Sequence, residues 1–315
     1  MVAPVHLGRP VNRSSVPTMS SEIICVGEIL WDALPDGLFL GGAPFNVASH
    51  LRALHQRVTF ASRVGDDRLG HEALRRMQAR GLKTKFVQVD SSLPTGFVEV
   101  ALENSGEPDY EILEPAAWDA VAFTDSLVQH ARNSDTLVYG SLAQRALTSR
   151  ETIRQLWEAD LLRVFDVNLR PPFIDSETIR ASLEAADIVK CNDDELQRMM
   201  GWFDLPRDVE SATAAVAATF DCSCVCVTAG SEGAWLWMNG DTSRHSGYPV
   251  DVEDTVGAGD AFLAALITGL IGGWKGADLL DHANRLGAFV ASRSGAFPAY
   301  PAGAFDEISE LVLDT

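Results

Sequence analysis

Short apolar runs that end in small or polar residues recur along this chain, with helical patterns between them. "EIICVGEILWD" (22–32), "VTFASRVG" (58–65), "TLVYGS" (136–141), "RVFDVN" (163–168), "ADIVKCN" (186–192) and "CSCVCVTAG" (222–230) all have this form. Each reads as a buried strand. "APFNVASHLRALHQ" (43–56) carries Val47, Leu51 and Leu54 at helical spacing, and "GHEALRRMQARG" (70–81) is a second helix pattern. Alternating strands and helices restrict the chain to an α/β fold. The alternation breaks once, at 95–113, where "TGFVEVAL" and "DYEILE" flank the turn "ENSGEP" with no helix between them. Such a hairpin is expected to project as a small β lobe. "GAWLWMNGDTSRHSGYPV" (233–250) adds edge strands.

Polar groups gather after the strand ends: Asp32 after the first, then Asn168, Arg170, Asn192, Glu195 and Thr228. Ligands of open α/β sheets bind outside the carboxyl ends of strands, so these distant residues are expected to converge. "EDTVGAGDAF" (253–262) runs straight into the apolar "LAALITGL". Thr255 to Asp260 then opens a helix whose first amides lack partners and favour anions. Gly257 and Gly259 let a ligand approach the backbone. The natural ligand of such a nest is phosphate. A carboxylate beside a phosphate is repelled, so Asp260 makes sense as a base for a hydroxyl that attacks it. The plainer reading is an N-capping Asp with turn glycines.

At this stretch the sequence resembles the ribokinase or PfkB family of carbohydrate kinases, whose C-terminal signature is D-T-x-G-A-G-D. "GGAPFNVASHL" (41–51) and "RVGDDRLG" (63–70) match its N-terminal signature, "NDDE" (192–195) its N-x-x-E motif, and "VTAGSEGA" (227–234) its nucleotide loop. The resemblance covers nearly the whole chain from residue 22. It implies a ribokinase-like three-layer α/β/α sandwich over 21–315 with a mostly parallel sheet. A β lid is expected from about 33–44 and 95–117. Asp260 would be the catalytic base, and the Gly257, Ala258 and Gly259 amides the anion hole. Asn192 and Glu195 would organise Mg²⁺ and the ATP phosphates, mainly through water. Thr228, Gly230, Gly233 and Asn284 would lie along the nucleotide. Asp254, the Val256 carbonyl and Ser294 match a monovalent cation site, K⁺ in this family. On the sugar side Asp32, Gly42, Asn46, Asn168 and Arg170 match.

"VGEILWD" and "LGGAPFNVA" resemble the fructokinase-like branch most, with 2-keto-3-deoxygluconate kinases or other sugar and nucleoside kinases as alternatives. The lid holds Glu111 and Glu114, and no Arg lies between Arg80 and Arg132. A carboxylated or phosphorylated sugar is therefore disfavoured, and a neutral hexose, fructose, is expected. The lid edge suggests a homodimer.

Net charge is −19, which disfavours nucleic acid or anionic membrane as partners. Apolar stretches fall short of a membrane span, and 1–20 lacks the apolar core of a secretory signal. Those 20 residues read as a disordered tail, with a short transit peptide or a start at Met19 as alternatives, and the expected location is cytoplasmic. Five cysteines do not suggest a secreted disulfide framework. In "CSCVC" (222–226), strand alternation would put all three thiols on one face, as a metal site or, more simply, as small apolar residues. The seven histidines show no ligand spacing, and His50 and His55 read as exposed helix positions. No G-x-G-x-x-G follows the first strand and no G-x-x-x-x-G-K-[ST] occurs, which argues against NAD-dependent and P-loop enzymes. A non-catalytic protein on the kinase fold is the remaining rival, yet such a protein is expected to lose the base or its glycines.

Overall fold

In a computed structural model, which describes residues 21–34, 37–102, 108–173 and 175–300 together with 304 and 308, the first strand explains the rest. β1 (Glu22–Val26) sends Ile23 and Cys25 into one layer and Ile24 and Val26 into the other. A strand covered on both faces needs a continuous apolar run, as this one has. It pairs in parallel with β4 (Arg57–Gly65) and β8 (Thr136–Gly140). The sheet extends past β4 to β5 (Val87–Asp90), and past β8 through β9 (Leu162–Asp166), β10 (Ile188–Asn192) and β11 (Cys224–Thr228). β12 (Ala234–Met238) and β13 (Asp241–His245) close that edge antiparallel.

On one face lie α1 (Ala43–Ala53), α2 (Arg68–Ala79), α8 (Ala258–Ile271) and α9 (Gly276–Ala291). On the other lie α3 (Asp125–Ala131), α4 (Leu147–Leu156), α5 (Ser176–Ala185), α6 (Asp193–Phe203) and α7 (Val209–Phe220). The result is the expected three-layer sandwich. α8 is buried from Ala261 to Ile267 on every side, between α1, α9 and the sheet. That is why its sequence is apolar all round.

A second sheet has the order β3-β2-β6-β7. β2 (Leu30–Leu34) pairs antiparallel with β3 (Gly37–Gly41) and parallel with β6 (Gly96–Leu102), and β6 pairs antiparallel with β7 (Pro108–Ile112). The expected hairpin is therefore present. The sheet starts three residues earlier than expected, at Leu30, and Ala43 and Pro44 already belong to α1. Residues 35–36 and 103–107 of the expected lid, the expected tail at 1–20, and most of 301–315 lie outside the described residues.

Three local readings change. Asp32 does not end the first strand; Gly27 to Ile29 carry the chain off the main sheet, and Asp32 sits inside β2. Cys224 and Cys226 face the α8 layer, but Cys222 precedes β11 and packs in the opposite layer, because strand alternation does not extend to it. All five cysteines are buried free thiols, and burial pushes the Cys226 thiol up to about 12. His50 is fully buried: its Nδ1 pairs with the Tyr300 hydroxyl at 2.7 Å and its Nε2 with the Ala296 carbonyl at 3.0 Å. A carbonyl only accepts, so Nε2 carries the proton and Tyr300 donates to Nδ1. His55 is exposed, as expected, but it follows α1 in a turn with φ 62° instead of lying in the helix. Among the described residues no helix is long and apolar enough to cross a membrane.

Candidate active site

α8 begins without a cap. Gly257 at its N-terminus has φ 80°, and no side chain bonds the first-turn amides. A Cβ at 257 would lie 2.5 Å from the Ala296 backbone, so both conformation and space demand glycine. The Ala258 amide donates to the Thr255 carbonyl at 3.2 Å, so one of the three expected anion-hole donors is already engaged. The amides of Gly257 and Gly259 have no acceptor among the described residues and form an opening for an anion.

Asp260 lies one residue further on. Its Oδ2 accepts a 2.9 Å bond from Nδ2 of Asn46, in the first turn of α1. α1 also begins at a glycine: Gly42 has φ 109°, and a Cβ there would strike the Glu28 carbonyl. Two glycine-started helices packed side by side thus bring Asn46 to Asp260, 214 residues apart. Asn46 is buried and its Oδ1 has no partner among the described residues.

Beneath this pair lies a set of buried charges. Lys190 on β10 faces Asp166 on β9, with Nζ 3.1 Å from Oδ1 and both side chains less than a tenth exposed. Lys190 Nζ also lies 3.2 Å from where a Cβ on Gly259 would stand. Burial works against the ammonium charge, but Asp166, Glu195 and Asp260 outweigh it and hold Lys190 cationic above its ordinary range. The carboxyls respond in the opposite sense. Burial, then the Asp166 charge, pushes Asp260 up to about 6, against the Asn46 bond and the charges of Lys190 and Arg170. Burial pushes Asp32 up to about 6 and Glu28 up to about 7, with Arg170 opposing both. Glu28 is buried, and neither its Oε2 nor Asp166 Oδ2 has a partner among the described residues.

Sequence reading missed Glu28, Asp166 and Lys190. A signal was available: each is a charge inside or at the edge of an otherwise apolar strand run, a position that burial makes costly unless the charge is used.

Asn192 and Glu195 prove to be a capping box. Asn192 Oδ1 accepts the Glu195 amide at 2.7 Å, and Glu195 Oε2 accepts the Asn192 amide at 2.9 Å. Glu195 Oε1 accepts the Leu169 amide at 2.8 Å, which ties it to the loop of Asn168 and Arg170. Burial raises its carboxyl above the usual range. Thr228 stands opposite Asn192 in the β10–β11 register. Gly230 and Gly233 turn the loop after β11, both at positive φ. Asn284, buried on α9, donates to its own helix at Leu280 O (2.8 Å). Asp254 accepts from the amides of Val256 (2.9 Å) and Gly295 (3.0 Å), so the loops holding Val256 and Ser294 meet. Arg170 is exposed and bonds the carbonyl of its neighbour Leu169. Asn168 has φ 37°, and its carbonyl accepts from Ser141 Oγ at 3.1 Å. Among the described residues no group of three or more His, Cys, Asp or Glu could hold a metal.

The arrangement sets a carboxylate, held by one side-chain hydrogen bond, beside a helix end that can receive an anion. The pfkB family carbohydrate kinase model matches residues 37–302. The chain belongs to the pfkB family of carbohydrate kinases. It is 30% identical to an Escherichia coli fructokinase over 294 residues, covering 87% of this chain and 94% of that one. A Vibrio cholerae fructokinase, solved with fructose, ADP and calcium ion, superposes with a TM-score of 0.76 at 25% identity, covering 91% and 98% of the two chains. A Pyrococcus horikoshii sugar kinase in complex with ATP gives 0.73 at 28%, covering 87% and 93%. As a pfkB kinase, this protein is a phosphotransferase acting on a sugar hydroxyl.

Proposed function

We propose that this pfkB kinase transfers the γ-phosphate of ATP to a primary hydroxyl of a neutral hexose, fructose. The observation that carries the reading is Asp260, held by Asn46 at 2.9 Å and set at the uncapped N-terminus of α8 over the buried Lys190. Relatives named fructokinase at about this similarity support the sugar. Glu111 and Glu114, both exposed on the lid arm, argue against an anionic acceptor.

In this reading Asp32, Gly42, Asn46, Asn168 and Arg170 orient the sugar. Asp260 accepts the proton of the attacking hydroxyl, and the Asn46 bond fixes which carboxylate oxygen faces it. The free amides of Gly257 and Gly259 stabilise the charge that builds on the transferring group. Thr228, Gly230, Gly233 and Asn284 line the nucleotide. Bound Mg–ATP supplies the phosphoryl group and its neutralising cation. No cage of three acidic or imidazole ligands is present among the described residues, while Glu195 and Asn192 are occupied with each other's backbone. These residues fit a hydrated Mg²⁺ reached through water. Asp254, Val256 and Ser294 fit a K⁺ site between their two loops. The small sheet acts as a lid that excludes water. Leu38 and Phe39, exposed on its edge strand β3, form the contact of a homodimer.

ADP release should be measured with fructose, ribose, glucose, adenosine, 2-keto-3-deoxygluconate and fructose phosphates. Strong turnover on fructose alone is expected. Turnover confined to another acceptor would overturn the sugar while keeping Asp260, and silence on all of them would favour a non-catalytic protein.

A further inference from the structure

We propose that Arg145 is a positioning residue that couples the small sheet to the loop carrying Asn168 and Arg170, and thereby sets affinity for the sugar. The inference rests on the sugar-kinase reading above. Arg145 ends the short turn after β8, and its side chain is 4% exposed. Nε and Nη2 donate to the two carboxylate oxygens of Asp119, each at 2.8 Å. Nη2 also donates to the Leu113 carbonyl at 2.9 Å. The guanidinium stacks on Trp118, 4.0 Å from its ring centre, and on Phe173 at 4.5 Å.

These partners belong to two different parts of the site. Leu113 is the first residue after β7, where the chain returns from the small sheet, and its amide donates to Phe97 of β6 at 3.0 Å. Trp118 packs against Gly96, where the chain enters that sheet, so closely that a Cβ there would strike the indole. Phe173 lies on the loop after β9, and its amide donates to the Arg170 carbonyl at 2.9 Å. A separate apolar cluster of Ala116, Trp118 and Leu142, flanked by Ile112 and Phe173, surrounds the contact. On its other side the loop borders a cavity of about 220 Å³, lined in part by Arg145, Arg150, Pro172 and Phe173. The loop is therefore held at Asn168 by Ser141, at Leu169 by Glu195, and at Phe173 by the Arg145 stack. Only the last of these reaches the small sheet. A lysine cannot replace it, because it lacks both the two-pronged donor and the flat face.

The test compares wild type, Arg145→Lys, Phe173→Leu and the double variant, with thermal unfolding as a check on folding. The acceptor is whichever sugar wild type turns over. Each single variant is expected to raise sugar KM by about tenfold, with ATP KM changed less than about twofold, since small misplacements of a positioning group weaken orientation first. The double variant should be no worse than the poorer single one, because both cut the same link. Sugar-independent ATP hydrolysis should rise in the Arg145 variant. Additive effects, equal rises in both KM values, or a loss of melting temperature with sugar KM unchanged would each overturn the proposal. A wild type without sugar turnover would sink the kinase reading instead.

Discussion

α6 and α8 both begin at the carboxyl edge of the main sheet, yet their first turns are built oppositely. α6 is closed on itself: Asn192 and Glu195 satisfy each other's amides, and Asp193, Asp194 and Glu195 make the turn acidic. α8 is left open: glycine stands at its cap, the Gly257 and Gly259 amides have no acceptor among the described residues, and a buried lysine lies beneath. Helix ends attract anions in general, so the difference lies in what each sequence does with its orphan donors. An acidic, self-capped end repels phosphate. In the proposed reading, an uncapped end backed by Lys190 receives it. The single acid in the α8 turn, Asp260, is therefore the exception, and the proposed proton transfer accounts for it.

The largest effect should come from that exception. Asp260→Asn is expected to lower kcat by about 10² or more, the scale of a lost general base, with sugar KM changing less. A steady-state assay retaining near-wild-type kcat would reduce Asp260 to a first-turn acid like those of α6. Next, Gly257→Ala should lower kcat by about 10², since the new Cβ meets Ala296 and shifts the donors. Full activity with an unchanged melting curve would mean that the open end of α8 is not used. At the closed end, Asn192→Ala should act mainly as a lost cap, with a smaller loss of kcat than Gly257→Ala because Mg²⁺ is reached there only through water. It is expected to cost about 1 kcal/mol, read as a drop of a few degrees in Tm. A loss of kcat as large as that of Gly257→Ala would erase the distinction between the two ends.

The smallest effect concerns pH. Asp260 must be ionised to accept a proton, so with its carboxyl at about 6 the rate should fall as pH drops through that value. Arg170 lowers the Asp260 carboxyl, so Arg170→Gln should move the acid limb of kcat to higher pH. A limb that stays in place, or moves to lower pH, would detach Arg170 from the field of the base.

Much of this was legible along the chain. Apolar runs buried on both faces specified the main sheet, because strand alternation between two covered layers leaves no room for polar residues. Gly257 of "TVGAGD" was readable for a local reason, since few residues tolerate its backbone, and the hairpin at 95–113 from two strand patterns with no helix between them. Motif order led to the family. What sequence alone could not supply depended on contacts between distant segments. The bond from Asn46 to Asp260, the burial of His50 under Ala296 and Tyr300, and the placing of Cys222 opposite its two neighbours all arise from how layers pack. The same holds for Lys190, whose strand position is local but whose partner Asp166 and neighbour Gly259 come from other elements. Local backbone preference and burial periodicity are written in neighbouring residues. Electrostatic coupling falls off with distance in space, and that distance exists only once the chain has folded.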